Sequence, residues 1–221
     1  MSLAKDAFLR PRFLRRLLVG AVALAIWFWT QSLLGARPLP PGGIGDALHV
    51  WTAPLNAYFI ANPSAANALL IVSSGLIDAL GLFLLGRWLF GASVRPFLGL
   101  FLLMALRQVM QALCALPPPA NSIWHNPGFP SLLVTYDVAN DYFFSGHTAI
   151  AVFGATELAR FRLRWLTLAA VLLVVFEVLT VIVLRAHYTM DVFTGIVAAL
   201  WVAHLCERLA PPIDRYFAPA S

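Results

Sequence analysis

Six apolar stretches, at about 17–35, 67–87, 96–115, 143–160, 165–184 and 189–207, constrain this chain more than any other feature. Each is close to the roughly 20 residues that an α-helix needs to cross the hydrocarbon core of a bilayer. Backbone polar groups find no water at that depth, so such segments satisfy their hydrogen bonds internally, as helices do. Leu, Ala and Val run together in them without the period-two alternation of a membrane β-barrel. The chain is 61% hydrophobic and only 11% charged, whereas soluble domains carry about 25% charged residues. The expectation is an all-α, polytopic membrane protein built as a six-transmembrane-helix bundle.

Basic residues orient that bundle. With a cytoplasmic N-terminus, the inner segments hold Lys5, Arg10, Arg12, Arg15, Arg16, Arg87, Arg95, Arg160, Arg162, Arg164, Arg208 and Arg215. The outer side keeps Arg37, Arg107 and Arg185. Both termini are then cytoplasmic, and the net charge of +5 follows from this asymmetry without a nucleic-acid partner. The first 36 residues also resemble a signal peptide, but the long apolar run with Trp27 and Trp29 favours an uncleaved first helix. The expected organisation is a basic cytoplasmic N-terminus at 1–16, a six-helix membrane catalytic domain at 17–209 and a cytoplasmic tail at 210–221. Cys114 and Cys206 fall near opposite ends of the bundle, too far apart to pair. Two long outer loops, about 36–66 and 116–142, open on Pro38, Pro40 and Pro41 and on Pro117, Pro118 and Pro119.

Two strings carry the chemistry: Asn140 through Phe144 followed by Ser145-Gly146-His147-Thr148, and Arg185-Ala186-His187-Tyr188-Thr189-Met190-Asp191. In this topology both sit at the outer ends of helices, facing the periplasm or the extracellular space, as in a bacterial inner membrane. The Ser145-Gly146 turn opens a helix whose free N–H groups and positive dipole end favour an anion. Gly146 permits close approach, and Ser145 either caps the helix or donates to a phosphate oxygen. His187 and Asp191 are one helical turn apart, so the carboxylate can fix the imidazole tautomer and stabilise its charge. His187 can then attack phosphorus while His147 protonates the departing oxygen and later activates an acceptor. Alone, His-x-x-x-Asp more often describes a structural polar pair. Two His and one Asp make a weak metal site, so no metal and no cofactor is expected.

Arg107 lies in an apolar stretch where an unpaired guanidinium is expensive, which suits a phosphate clamp or a pair with Asp78 or Asp141. Arg185 can reach the same anion or anchor at the interface. Glu157 reads as a local partner of Arg160. Asp78 and Glu177 lie within expected helices, where acids are functional suspects. His49, His125 and His204 read as incidental, and Asp46 and Asp137 as solvated loop residues.

The motifs together resemble the phosphatidic-acid-phosphatase-type (PAP2) superfamily and, within it, the sphingomyelin synthase branch. The residues concerned are Asp141 through Thr148 and His187 through Val192, with Arg107 before Leu116-Pro117-Pro118-Pro119 and Arg37-Pro38-Leu39-Pro40 as weaker elements. The resemblance implies a PAP2-like six-helix fold, His187 as nucleophile, His147 as acid and base, and Asp191 as the orienting partner. Two positions depart from the lipid-phosphatase pattern: Leu100 stands where that pattern has Lys, and Val181 where it has Arg. Fewer cations favour a phosphodiester headgroup over a phosphomonoester. The expected function is therefore a phospholipid headgroup phosphotransferase working through a phosphohistidine, with membrane lipids as donor and acceptor; a homo-oligomer is left open. A lipid phosphatase or phospholipase-C-like hydrolase would use the same site. A noncatalytic transporter or lipid-binding protein would rest instead on Asp78 and Glu177.

Overall fold

The computed structural model describes residues 11–35, 44–134, 136 and 142–217. The Arg37-Pro38-Leu39-Pro40 element, Asp137, Asn140 and Asp141 lie outside them. The described residues form helices and no strand: α1 Pro11–Gly35, α2 Ala47–Trp51, α3 Ala53–Ala61, α4 Pro63–Leu89, α5 Arg95–Leu113, α6 Gly146–Ala159, α7 Arg164–Val183 and α8 Thr189–Phe217. The chain divides at Gly45/Asp46 into two compact units, of which the first contains α1 and the second α2–α8.

Four of these helices (α4, α5, α7 and α8) are long and apolar enough to cross a membrane. Six were expected. In α1 the apolar helix found among the described residues is Ala21–Thr30, and α6 has 14 residues, about 21 Å at the rise of an α-helix. The apolar stretch 143–160 is real, but its first residues are not helical, because Ser145 caps α6 by accepting from the Thr148 N–H. Hydropathy reports burial, and here burial extends past the helix end. The outward faces of the long helices are apolar: Leu168, Val171, Leu172, Val175 and Leu179 on α7, and Phe193, Val197, Leu200 and Trp201 on α8. Such stripes are unsuited to water and suited to lipid. This is an integral membrane protein.

The second unit is built around α6, which packs against α4, α5, α7 and α8. His147 through Gly154 are all buried on it. Small residues let the neighbours close in, as is usual between helices in membranes. Phe153 of α6 occupies the space beside Gly99 of α5, and Leu80 of α4 fills that beside Gly154. At the end of the bundle away from Ser145, Arg95 at the start of α5 pairs with Glu157 of α6. Its Nη2 donates to the Ala203 carbonyl of α8 at 3.2 Å. Glu157 thus points inward to Arg95 rather than to its neighbour Arg160, which lies 3.5 Å from Glu207 instead. Asp214 accepts from the Val94 N–H at 2.6 Å and Ser93 Oγ at 2.7 Å, tying the end of α8 to the start of α5. The helix α8 itself continues through Pro211 and Pro212 to Phe217 and does not stop near 209.

Removing one member of a buried ion pair strands the other at a cost of about 3–5 kcal/mol. Glu157→Ala is expected to lower the thermal midpoint of the detergent-purified protein sharply. Arg95→Met combined with Glu157→Leu should recover most of the loss. Equal midpoints for the single variant and the unsubstituted protein would remove the pair from the account of the fold.

Candidate active site

The first turn of α6 and the turn between α7 and α8 meet at one end of the bundle. The Ser145 N–H donates to the Asp191 carbonyl at 3.2 Å. Gly195 of α8 lies so close that a Cβ there would stand 2.8 Å from the Ser145 carbonyl oxygen. The α6 N-terminus is therefore set directly on α8 with no side chain between them. Ser145 is fully buried and spends its hydroxyl on Thr148, donating to its Oγ1 at 3.0 Å as well as accepting from its N–H. It is the helix cap.

His147 and His187 line one cavity of about 520 Å³, counting the space at its mouth. Arg107, Tyr142 and Gly146 line it as well, and Trp124, Leu133, Val134, Ile77, Met104, Ile150 and Ala186 supply apolar wall. The two imidazoles that the sequence places on separate helices face one space. His147 Nε2 is buried and has no hydrogen-bond partner among the described residues. Its ring meets the Trp124 ring edge-on at 4.9 Å.

His187 Nδ1 is 2.8 Å from the Tyr142 carbonyl oxygen. A carbonyl only accepts, so Nδ1 carries the proton and Nε2 keeps its lone pair. Asp191 Oδ2 lies 3.8 Å from the same Nδ1 and accepts from the Tyr188 N–H at 2.9 Å. The carboxylate is thus within charge-stabilising range of the ring while the carbonyl fixes the tautomer. The expected direct hydrogen bond from His187 to Asp191 is replaced by this division of labour.

Arg107 is buried and its Nε donates to the Phe144 carbonyl at 2.8 Å. Its guanidinium lies against Gly146, where an added Cβ would come within 3.1 Å of Nε. Glycine at 146 gives the guanidinium room for that approach. Arg185 is arranged differently: its Nη1 donates to the Ala120 carbonyl at 2.8 Å and its Nη2 to the His49 carbonyl at 3.3 Å. It does not line the cavity, and its backbone sits at φ 52° in the turn that ends α7. Its guanidinium holds loops together at that turn.

His49, read as incidental, Asp46, read as a solvated loop residue, and Asn56, which the sequence did not single out, hold the His187 turn. Asp46, the N-cap of α2, accepts from the Thr189 N–H at 2.5 Å and Thr189 Oγ1 at 2.6 Å, and from the Leu48 and His49 N–H groups. His49 is buried, donates from Nε2 to the His187 carbonyl at 3.0 Å and stacks on Tyr188. Asn56 donates to the Val183 carbonyl at 2.9 Å. Their partners are more than a hundred residues away or are backbone atoms, so no spacing in the sequence announces them. His125 meets Asn67 at 2.8 Å, and His204 is exposed. Asp78 accepts from two backbone N–H groups, and Glu177 accepts from Ser73 at 2.6 Å. Neither acid lines the cavity, which weakens the transporter alternative. Among the described residues no group of three or more His, Cys, Asp or Glu is placed to hold a metal.

A family model described as AtPDCT1/2 matches residues 45–208, roughly three-quarters of the chain, including every residue of this cavity. The chain belongs to the AtPDCT1/2 family. It is 22% identical over 172 residues to phosphatidylcholine:diacylglycerol cholinephosphotransferase 1 of Arabidopsis thaliana. That match covers 78% of this chain and 54% of the relative, so the chain spans about half the length of that protein. No solved structure matches. The family corrects the expected placement in the PAP2 superfamily and its sphingomyelin synthase branch. The two short strings describe a kind of site, whereas the family match extends over residues 45–208. Leu100 and Val181 are buried in the two apolar clusters that frame the site.

Asp46 offers a test of the clasp. Burial alone would raise its pKa, but the hydrogen bonds from Thr189, with His49 beside them, outweigh burial and hold it below the ordinary 3.8. A carboxyl depressed by folding stabilises the protein above its unfolded value, and that contribution is lost as pH falls through the folded value. Asp46→Asn should lower the thermal midpoint at pH 7 and flatten the loss of stability on acidification below about pH 4. An unchanged acid limb would place the carboxylate outside the clasp.

Proposed function

We propose that this chain is a phospholipid headgroup phosphotransferase that works through a phosphohistidine on His187. The observation that carries the reading is the single cavity lined by both imidazoles, with His187 Nδ1 committed to the Tyr142 carbonyl. That commitment leaves Nε2 as the nucleophile. In the first half-reaction, Nε2 attacks the phosphorus of a donor phosphodiester and a P–N bond forms. The P–O bond to the lipid breaks, and protonated His147 gives its proton to the departing oxygen. The resulting charge on the His187 ring is offset by Asp191. Arg107 and the open N–H groups of the α6 turn hold the phosphoryl oxygens. In the second half-reaction His147 takes the proton of an acceptor hydroxyl, its oxygen bonds to phosphorus and the P–N bond breaks.

The Arabidopsis relative supports phosphatidylcholine as donor and diacylglycerol as acceptor. Such an exchange breaks one phosphodiester and makes an equivalent one, so it needs no external energy source. A site with one cavity-lining Arg suits the single negative charge of a phosphodiester. The distribution of Lys and Arg supports placing the cavity on the periplasmic or extracellular side, with both termini cytoplasmic.

The test is headgroup exchange by the full chain in vesicles of phosphatidylcholine containing labelled diacylglycerol. Labelled phosphatidylcholine is the expected product. His187→Ala should reduce its formation by about four orders of magnitude or more, and Asp191→Asn by less, since a nucleophile remains. Exchange that survives His187→Ala would contradict the assignment. Release of water-soluble headgroup with no exchange would establish the hydrolase instead.

A further inference from the structure

We infer that Asp78 is a specificity-determining residue that selects a lipid hydroxyl over water as the acceptor. The inference rests on the phosphohistidine reading above. Whatever attacks that intermediate loses a proton to His147, forms an O–P bond and releases the P–N bond. Water and a lipid hydroxyl satisfy this balance equally well, so the histidines cannot discriminate between them. Access to the cavity can.

Part of the chain between α5 and α6 packs inward: Val134 is buried and Leu133 half-buried, while Leu132 stays exposed. Leu133 descends onto Gly81 of α4 and fills the space that a side chain there would need. Gly81 is about 27 Å along α4 from Pro63 at the helical rise. Non-helical backbone inside a membrane protein is tolerated only where its polar groups find partners. Here Asp78 provides them: Oδ1 accepts from the Leu133 N–H and Oδ2 from the Leu132 N–H, both at 2.8 Å. Ser131 Oγ accepts from the Val134 N–H at 3.0 Å. The tip so held is part of the reaction chamber, because Leu133 and Val134 line the cavity together with His147 and His187. Beside the tip, Trp124 packs between Tyr136, 5.0 Å away, and His147. The Tyr136 hydroxyl is hydrogen-bonded to Ser74 of α4.

A carboxylate gripping two consecutive amides is a rigid anchor, since charge-assisted hydrogen bonds are about twice as strong as neutral ones. Asp78 touches neither substrate nor histidine. Its effect is to keep an apolar wall against the phosphorylated ring, so that the acceptor reaching it comes from the membrane.

The experiment compares two products of the full chain in phosphatidylcholine vesicles containing labelled diacylglycerol: exchanged lipid and free phosphocholine. The unsubstituted protein should make mainly exchanged lipid. Asp78→Ala should raise the ratio of free phosphocholine to exchanged lipid by about tenfold or more, with the sum of the two products changed only a few-fold. A merely structural role would lower both products and leave their ratio fixed. Gly81→Ala displaces Leu133 while keeping the carboxylate, and should raise the ratio in the same direction. An unchanged ratio in Gly81→Ala, or in folded Asp78→Ala, overturns the inference. So does an unsubstituted protein that chiefly releases phosphocholine. Absence of both products from the unsubstituted protein would contradict the proposed function instead.

Discussion

Unpaired backbone is the constraint on which this structure turns. A chain in an apolar medium must satisfy every N–H and C=O internally, and a uniform set of spanning helices would do so without leaving room for chemistry. Here the requirement is met by side chains at the places where the helix is broken. Ser145 caps the shortened α6, Asp46 caps α2 and grips Thr189, Asp78 holds Leu132 and Leu133, and Asn56 takes the Val183 carbonyl at the end of α7. The breaks are what bring His147 and His187 together, so the polar residues that mend the backbone also set the site.

The same economy governs the charges. Arg107 is held by the carbonyl at the approach to α6, and His187 by the Tyr142 carbonyl two residues earlier. One short stretch of non-helical backbone thus orients both Arg107 and His187. Electrostatic preorganisation of this kind is effective because the groups need not reorganise when charge develops. At the far end, Arg95, Glu157, Asp214 and Ser93 join α5, α6 and α8, and hold the helices against which the site is built.

The sequence is legible where the relevant distances are local. The four-residue spacing does bring His187 Nδ1 within 3.8 Å of Asp191, although His187 stands in the turn before α8 rather than on its face, and Ser145 caps α6 as the Ser-Gly turn suggests. A cation in an apolar stretch has few explanations, and Arg107 is at the cavity. Hydropathy overcounts the spans because buried non-helical backbone at 143–145 reads like helix. The roles of Asp46, His49 and Asp78 are hidden from the sequence because these side chains act on backbone atoms of distant segments. Glu157 finds Arg95 across the bundle rather than Arg160 along the chain. Position in sequence also fails to separate Arg185 from Arg107: the former spends its guanidinium on the Ala120 and His49 carbonyls, which lie in distant segments. Family is the least local property of all, and two short strings were insufficient to name it.

The most direct measurement of the central claim is mass spectrometry of the chain quenched during turnover with phosphatidylcholine. The covalent mechanism predicts a phosphocholine adduct, labile in acid, on the peptide containing His187, and its absence when His187 is replaced. Efficient headgroup exchange with no adduct under conditions that preserve P–N bonds, or with the adduct on another residue, would contradict it.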